Sequence, residues 1–325
     1  MKKSTKRLLV LTSAAVAGMY AYNRLVDSNA ARKNLLKVDN GHYYKWKEGN
    51  IFYTQNGTGT PLLLVHDTDS RASGEEWSKI IKKLSKKNTV YTIDLLGCGR
   101  SDKPSIKYTN YMYVQIITAF VNDVIGEACD VVATNLSAAP VLMASVLQKD
   151  LFNKTILINP VPLQQLNQIP DKTSKFKQTV INLPIFGTFI YNKLMSPLKL
   201  DLLFRNKYML RSQLISSKVE DTYYESAHHG QSRGKYLYSS ILSHYININI
   251  THAIKKLDKP IYIIGSTDIK NNLDVINNYH KLNTNIDIIH ISNARLYPQL
   301  EIPEKTASII KKIIKMNLVP SEMIK

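Results

Sequence analysis

Short apolar runs of strand length recur along the chain, separated by segments whose apolar residues follow helical spacing. Runs without polar alternation are typical of strands buried on both faces of a parallel sheet. The candidate strands are residues 61–65, 89–93, 130–134, 155–159, 260–265 and 286–291. Strands that alternate with amphipathic helices, such as residues 75–84, predict an α/β fold with a mostly parallel central sheet flanked by helices.

Two stretches depart from this alternation of strands and helices. Residues 42–46 and 51–54 alternate around a Glu-Gly-Asn turn, which predicts a β-hairpin. Residues 161–253 lack strand alternation and carry helical apolar runs, for example residues 186–194 and 236–242. The pattern therefore predicts a helical insertion before the last two strands.

The run 130–134 ends in small residues and continues with a helical pattern. A strand, a tight turn and a helix in this order are typical of a nucleophile elbow, whose small flanking residues permit strained, exposed geometry at the middle residue. Here the flanking residues are Ala133 and Ser137, and the middle residue is Asn135. An asparagine amide is not a useful nucleophile. The elbow pattern is therefore present without the residue that would carry its chemistry.

A loop with the sequence Asp-Leu-Leu-Gly-Cys-Gly-Arg-Ser-Asp-Lys-Pro follows at residues 94–104. With the turn led by His66 and the elbow, in this order and spacing, it resembles the α/β-hydrolase family over roughly residues 41–317. The chain is similar in particular to N-terminally anchored bacterial members. The resemblance implies the α/β-hydrolase fold and a cap that covers the cleft. The implied units are a signal-anchor (1–27), a tether (28–40), the core (41–160 and 254–318) and the helical cap (161–253).

The resemblance also assigns catalytic positions. Asp268 holds the acid position, with a turn-forming aspartate as an equal alternative. Leu296 holds the base position in an otherwise preserved loop, and Asn135 holds the nucleophile position. The backbone N–H groups of Asp67 and Leu136 are the expected oxyanion donors. Two triad positions are therefore substituted, and the Asp67 carboxylate, where the family usually has glycine, would repel a developing oxyanion.

His66 and Ser137 are expected to line the cleft. Ser137 is also a candidate for a displaced nucleophile, with His228 or His229 of the cap swinging over the cleft as its base. The alternative is that Ser137 lies inside the helix without a histidine beside it. The paired histidines are then solvent-facing or capping residues.

Four basic residues, Lys2, Lys3, Lys6 and Arg7, precede a mostly apolar run at residues 8–22. This order is typical of the start of a signal sequence. It predicts an uncleaved single-pass membrane anchor with the N-terminus in the cytoplasm and the domain outside. Two alternatives stay open, namely secretion after cleavage and a surface or core helix of the folded domain.

The charge balance favours an anionic neighbour. The chain carries 43 Lys and Arg against 25 Asp and Glu, a net charge of +18 at pH 7. A membrane surface or cell-wall polymer fits such a surplus, and general lysine enrichment is the alternative. Nucleic acid is not expected, because no recognition motif accompanies the lysines. Cys98 and Cys129 form neither a disulfide framework nor a metal-binding spacing, so no metal or other cofactor is expected.

Three functional hypotheses follow from the sequence. The leading one is a membrane-anchored, non-catalytic hydrolase-like protein that binds an apolar or acyl-type small molecule or a partner of unknown identity. The second is an active hydrolase of esterase or lipase type that uses non-standard groups, such as Ser137 with a cap histidine. The third is a scaffold held at the membrane, which a collapsed cleft would favour.

Overall fold

The computed structural model describes residues 3–214 and 216–316, and eight strands within them form one sheet. The strands are β1 (Gly41–Trp46), β2 (Gly49–Asn56), β3 (Thr60–Val65), β4 (Asn88–Ile93), β5 (Cys129–Thr134), β6 (Phe152–Ile158), β7 (Ile261–Ser266) and β8 (Ile286–Ile291). Their order is β1-β2-β4-β3-β5-β6-β7-β8. β2 pairs antiparallel with β1 and β4, and the other neighbouring strands pair in parallel. The predicted hairpin and the mostly parallel sheet are confirmed.

Helices connect and cover these strands. The α-helices are α1 (Lys3–Ala30), α2 (Ser78–Leu84), α3 (Asn110–Phe120), α4 (Ala138–Leu147), α5 (Leu163–Leu166), α6 (Lys172–Asn182), α7 (Ile185–Leu194), α8 (Pro197–Leu203), α9 (Ser217–His228), α10 (Lys235–Leu242), α11 (Thr251–Lys255), α12 (Asn272–Leu282), α13 (Pro298–Glu301) and α14 (Pro303–Lys315). α2 and α14 lie on one face of the sheet, and α3, α4 and α12 lie on the other.

Alternate residues of the central strands enter opposite halves of the core. In β3, Leu62 and Leu64 pack with α2 and α14, whereas Leu63 and Val65 pack in the larger cluster with α3, α4 and α12. All four side chains are fully buried. Because both faces of the sheet are covered, its central strands require apolar residues at every position, which explains the continuous apolar runs.

The chain between β6 and β7 is helical, as the sequence predicts. It contains α5 to α11, and its described residues, 161–214 and 216–253, include no strand. Three of its aromatic residues, Phe204, Tyr208 and Tyr223, pack against Tyr297 of the core. We refer to this insertion as the cap. The unit boundaries stay predictions, and residues 1–2 and 317–318 lie outside the described residues.

The C-terminal half of α1 packs against the cap. The Asn23 side chain is 5% exposed; it donates to the Ile185 carbonyl and accepts from the Asn192 amide, both at 3.0 Å. By contrast, residues 3–18 are exposed on all sides. The second half of α1 is therefore part of the folded domain. Among residues 3–214 and 216–316, no helix combines the length and apolar character needed to cross a membrane.

The segment predicted as a tether is fixed to the body of the protein. The backbone N–H groups of Leu35 and Leu36 donate to the Glu225 carboxylate of α9 at 2.7 and 3.3 Å. The Leu36 carbonyl accepts from the Arg100 guanidinium at 3.2 Å. Residues 35–36 thus link the cap to the glycine-containing loop of the core, which differs from the expected free linker. The polar composition of residues 28–40 does not predict these contacts, because backbone groups make them.

Candidate functional site

Two neighbouring strands bring the elbow and the histidine-led turn together. β3 and β5 are parallel neighbours, and Val65 pairs with Ala133 near their carboxyl ends. Asp67 and Asn135 each follow their paired residue by two positions. Both therefore lie at the edge of the sheet where open α/β folds bind ligands. This register explains why residues 68 positions apart are in contact.

The elbow keeps its strained geometry at Asn135. The φ angle of Asn135 is +49°, in the left-handed region that non-glycine residues seldom adopt and asparagine tolerates better than most. The chain passes through one 3₁₀ segment, Asn135–Ser137, directly into α4. The Asn135 amide is engaged, because Nδ2 donates to Oδ2 of Asp67 at 2.9 Å. The substitution thus preserves the turn while removing the nucleophile.

The Asp67 carboxylate accepts two further hydrogen bonds. The backbone N–H of Leu136 donates to Oδ1 at 3.1 Å, and the Tyr297 hydroxyl donates to Oδ2 at 2.9 Å. The Leu136 N–H is one of the two groups expected to bind an oxyanion. It is instead occupied by a carboxylate of the same chain.

The second expected oxyanion donor is occupied in the same way. The backbone N–H of Asp67 donates to Oε2 of Glu76 at 3.2 Å. Glu76 is fully buried, and its Oε1 accepts from the Gln299 amide at 2.9 Å. The N–H groups of Asp67 and Leu136, predicted as oxyanion donors, thus each donate to a carboxyl group of the chain itself. Both N–H groups are present at the elbow, and internal carboxylates close the hole.

The two carboxyl groups lie in a desolvated site and receive neutral donors. Burial raises the pKa of Asp67, and the charge of Asp69 raises it further, while the three hydrogen bonds act in the opposite direction. Burial, followed by the charge of Asp67, raises the pKa of Glu76 to about 8. Glu76 is therefore mostly protonated at neutral pH, so the two carboxyl groups together carry at most one buried negative charge.

The base position holds a structural residue. Leu296 is 7% exposed, and its side chain packs with the aromatic residues of the cap. Its backbone N–H donates to the Tyr208 carbonyl, and its own carbonyl accepts from Nδ2 of Asn159, both at 3.0 Å. The loop is thus fixed through its backbone, independently of the apolar side chain at the predicted histidine position.

Asp268 lies in an exposed turn after β7. Its Oδ2 accepts from the backbone N–H of Asn293 at 2.9 Å and from the Thr267 hydroxyl at 3.3 Å. The carboxylate thus holds the start of the loop that contains Leu296. These contacts support the turn-forming alternative for Asp268.

Aromatic side chains from the cap close the elbow. The ring centroids of Tyr297 and Tyr208 lie 4.8 Å apart, and those of Phe204 and Tyr223 lie 5.1 Å apart. Tyr223 connects the two pairs, at 6.1 Å from Tyr297 and 6.3 Å from Tyr208. All four side chains are buried. Tyr297 is also the residue that donates to Asp67, so cap and core meet beside the elbow.

His66 and Ser137, expected to line the cleft, are both completely buried. Burial lowers the pKa of His66. The neutral ring accepts from the Leu95 N–H at Nε2 (3.0 Å), and its Nδ1 donates to the Asp67 carbonyl (2.7 Å). The Ser137 hydroxyl donates to the His66 carbonyl at 2.6 Å and lies 2.7 Å from the Thr68 hydroxyl. Both residues are thus core elements that fix the turn after β3, which corrects the expectation of a cleft position.

The cap histidines do not have the environment of a catalytic base. His228 is buried at the end of α9, where Nδ1 lies 2.8 Å from the Tyr224 carbonyl. Burial lowers the pKa of His228 to about 4, which makes it a weak base. His229 is exposed and, with Arg100 and Arg233, lines a cavity of about 380 Å³ beside the glycine-containing loop. The displaced-nucleophile alternative gains no support from these contacts.

Sequence reasoning missed three residues of this site, namely Glu76, Tyr297 and Gln299. In the sequence, Glu76 is recognisable only as a carboxylate near the start of the predicted amphipathic helix at residues 75–84. Tyr297 directly follows the base position, yet its contact with Asp67 spans 230 positions. Contacts of that range depend on the packing of the last loop, which a single sequence does not specify.

Comparison with known proteins identifies the same architecture. The family model for the α/β-hydrolase fold matches residues 60–301. Among curated proteins, 2-hydroxy-6-oxo-6-(2'-aminophenyl)hexa-2,4-dienoic acid hydrolase from Metapseudomonas resinovorans is 28% identical over 113 residues. The match covers 34% of this chain and 39% of that enzyme. The chain therefore matches well under half the length of this relative.

Solved structures resemble the chain over a larger part of its length. A serine hydrolase involved in carbazole degradation has a TM-score of 0.68 at 17% identity, covering 85% of this chain and 99% of that chain. A bromoperoxidase from Bacillus anthracis has a TM-score of 0.68 at 16% identity, covering 85% and 100%. A membrane phospholipase A described as a bacterial virulence factor has a TM-score of 0.63 at 15% identity, covering 97% and 98%. At these identities the likeness shows the fold alone.

Proposed function

We propose that this chain, which belongs to the α/β-hydrolase family, is a non-catalytic member in which the elbow region ties the cap to the core. One observation carries the proposal. Both expected oxyanion donors, the N–H groups of Asp67 and Leu136, are occupied by carboxylates of the chain itself. The substituted nucleophile and base positions, Asn135 and Leu296, point in the same direction.

A hydrolytic transition state would be strongly disfavoured at this elbow. In acyl transfer, preorganised N–H groups stabilise the negative charge that develops on the substrate oxygen. Here each N–H would first have to release a buried carboxyl group, and the oxyanion would then lie next to Asp67. Where Asp67 is ionised, its charge and that of an oxyanion ~4 Å away repel by about 4 kcal/mol at the effective dielectric constant typical of protein sites. Loss of a triad member alone removes ~10⁴-fold or more of the rate.

The contacts at the elbow, which join the cap to the core, fit a scaffolding role for the protein. Tyr297 donates to Asp67 of the core, and its ring meets the ring of Tyr208 of the cap edge to face, so one residue joins the two parts. The buried aromatic cluster fills the place where the sequence suggested an apolar or acyl-type ligand. We therefore infer that the protein acts through its surface, by binding a partner, with the closed elbow giving the surface a fixed shape.

Ester turnover by the purified full-length protein tests this proposal. We expect no hydrolysis of p-nitrophenyl acetate or butyrate above a mock purification. We also expect no fluorophosphonate labelling of Ser137, because its hydroxyl is buried and bonded to the His66 carbonyl. Asp268→Ala and Asp274→Ala form a matched pair of variants, since both carboxylates are exposed.

Two outcomes would overturn the proposal. Turnover that falls with Asp268→Ala and persists with Asp274→Ala would assign catalysis to the retained acid position. Labelling of Ser137 would assign it to a displaced nucleophile. Asp268 also accepts from the Asn293 N–H, so the urea-unfolding midpoint of Asp268→Ala is compared with that of the unaltered chain before turnover is interpreted. The labelling uses the unaltered chain and needs no such control.

A further inference from the structure

Large apolar side chains are exposed mainly in one region of the molecule. Of the 19 exposed large apolar residues in the described chain, seven lie on α1 and seven lie in the cap between residues 169 and 202. We call the main cap members the apolar cap face: Ile169, Phe176, Leu183, Phe186, Leu198 and Leu202. Ile169 is 78% exposed, and Phe176 and Leu198 are each 69% exposed. Such a concentration marks an interaction surface, whereas single exposed apolar residues need no explanation.

Four members of the apolar cap face lie on α6, α7 and α8, and Ile169 and Leu183 lie in the segments before α6 and α7; these helices adjoin α1 directly or through a neighbour. α1 packs on α7 and α9, α7 packs on α6, and α8 packs on α9. The ring of Tyr22 on α1 meets the ring of Phe189 on α7 edge to face, with centroids 5.2 Å apart. The first 16 described residues of α1, residues 3–18, project from this point as an exposed helix. They include the run Leu8 to Leu11, in which every side chain is at least 52% exposed.

Positive charge is interspersed with these apolar residues. Residues 163–211 contain eight Lys and Arg and two Asp. Phe176 lies between Lys175 and Lys177, and Lys199 follows Leu198, all of them exposed. Lys and Arg beside exposed Phe and Leu are typical of helices that lie in the interface of an anionic membrane. A protein partner or a second copy of the chain would have to bind a strongly basic surface. Two copies carry the same positive charge there, so they do not complement each other.

We propose that the apolar cap face, together with the exposed part of α1, docks on an anionic lipid surface. The apolar side chains enter the headgroup boundary while the lysines contact lipid phosphates. The closed elbow then fixes the cap in one orientation on the membrane. The inference does not depend on the absence of catalysis, because every residue it uses lies on the outer surface of the cap or on α1.

A tryptophan placed on the face reports its own insertion, independently of α1. The native tryptophans, Trp46 and Trp77, are buried, so an added tryptophan dominates any change caused by lipid. Full-length Phe176→Trp is mixed with vesicles of brominated phosphatidylglycerol and phosphatidylcholine in equal parts, and with vesicles of phosphatidylcholine alone. Tyr111→Trp is the matched control, because Tyr111 is 60% exposed on α3, outside the face.

We expect a blue shift and bromine quenching for Phe176→Trp on the anionic vesicles, and neither for Tyr111→Trp. We also expect partitioning to weaken on the order of tenfold in a Phe176→Ser, Leu198→Ser double variant, because less apolar surface is inserted. Equal quenching at both positions, or none at position 176, would overturn the proposal. Self-association of the unaltered chain that Phe176→Ser abolishes, without quenching, would assign the face to a second copy and would also overturn it.

Discussion

Two buried carboxylate sites lie at the same edge of the sheet and are stabilised differently. Asp94, after β4, accepts from Nε and Nη2 of Arg100 at 2.7 and 3.0 Å. Burial alone would raise the pKa of Asp94, but the Arg100 charge and hydrogen bonds outweigh burial and lower it. Asp67 and Glu76, after β3 and before α2, receive neutral donors, and their pKa values are raised. A cation keeps one site ionised, whereas the other site retains a proton.

The two sites show that the loop at residues 94–104 and the elbow have different roles. The ion pair of Asp94 and Arg100 holds the loop at residues 94–104 in place. Two backbone N–H groups, those of Gly74 and Arg100, also donate to Asp94, at 2.6 and 2.7 Å. Such a role is structural and needs no catalysis. The elbow also keeps its shape, but its donors bind internal carboxylates. The elbow therefore has its characteristic turn although neither of its two N–H donors is free in the structure.

The largest expected effect is the loss of unfolding free energy when Arg100, the cation beside Asp94, is removed. Arg100→Met leaves the buried Asp94 charge unpaired, which typically costs about 3–5 kcal/mol of unfolding free energy. Urea unfolding at neutral pH measures the loss. Arg205→Met is the control, because Arg205 pairs with Asp201 on an exposed helix, where solvent screens the pair and it adds little to stability. Equal losses for the two variants would contradict the contrast between the sites.

A smaller effect of opposite sign on the unfolding free energy is expected at the second site, which contains Asp67 and Glu76. In the unfolded chain Glu76 titrates near its ordinary value of 4.5, and in the folded chain its pKa is raised to about 8. Between these pH values the folded state retains the proton, so Glu76 lowers the stability progressively as the pH rises, and the loss is complete above pH ~8. Glu76→Gln removes this titration, and its side-chain oxygen can still accept from Nε2 of Gln299.

The difference in unfolding free energy between Glu76→Gln and the unaltered chain is therefore the quantity to follow. It is expected to be smallest near pH ~4 and to grow to about 1 kcal/mol or more in favour of the variant by pH ~9. Taking the difference cancels the opposite pH dependence of Asp94. A difference that does not change with pH would mean that Glu76 is ionised in the folded protein, and the second site would then resemble the first.

The sequence predicts the sheet well because its signals are local. Continuous apolar runs identify the buried parallel strands, and the small residues around Asn135 identify the elbow. The contacts that decide the chemistry are not local. Glu76 and Gln299 meet across 223 positions, and Tyr297 reaches Asp67 across 230 positions. The direction in which a buried carboxylate points depends on such partners, so the closure of the oxyanion hole was not predictable from residue types alone.

Amide hydrogen exchange at Leu136 tests the closed oxyanion hole most directly. In protein with isotope-labelled leucine, the account predicts slow exchange of the Leu136 N–H in the unaltered chain and faster exchange in Asp67→Ala, which removes its acceptor. It also predicts no shift of the Leu136 signal on addition of phenylboronate, an oxyanion mimic, to the unaltered chain. Rapid exchange in the unaltered chain, or a shift of Leu136 with phenylboronate, would show that the donor is free and would contradict the account.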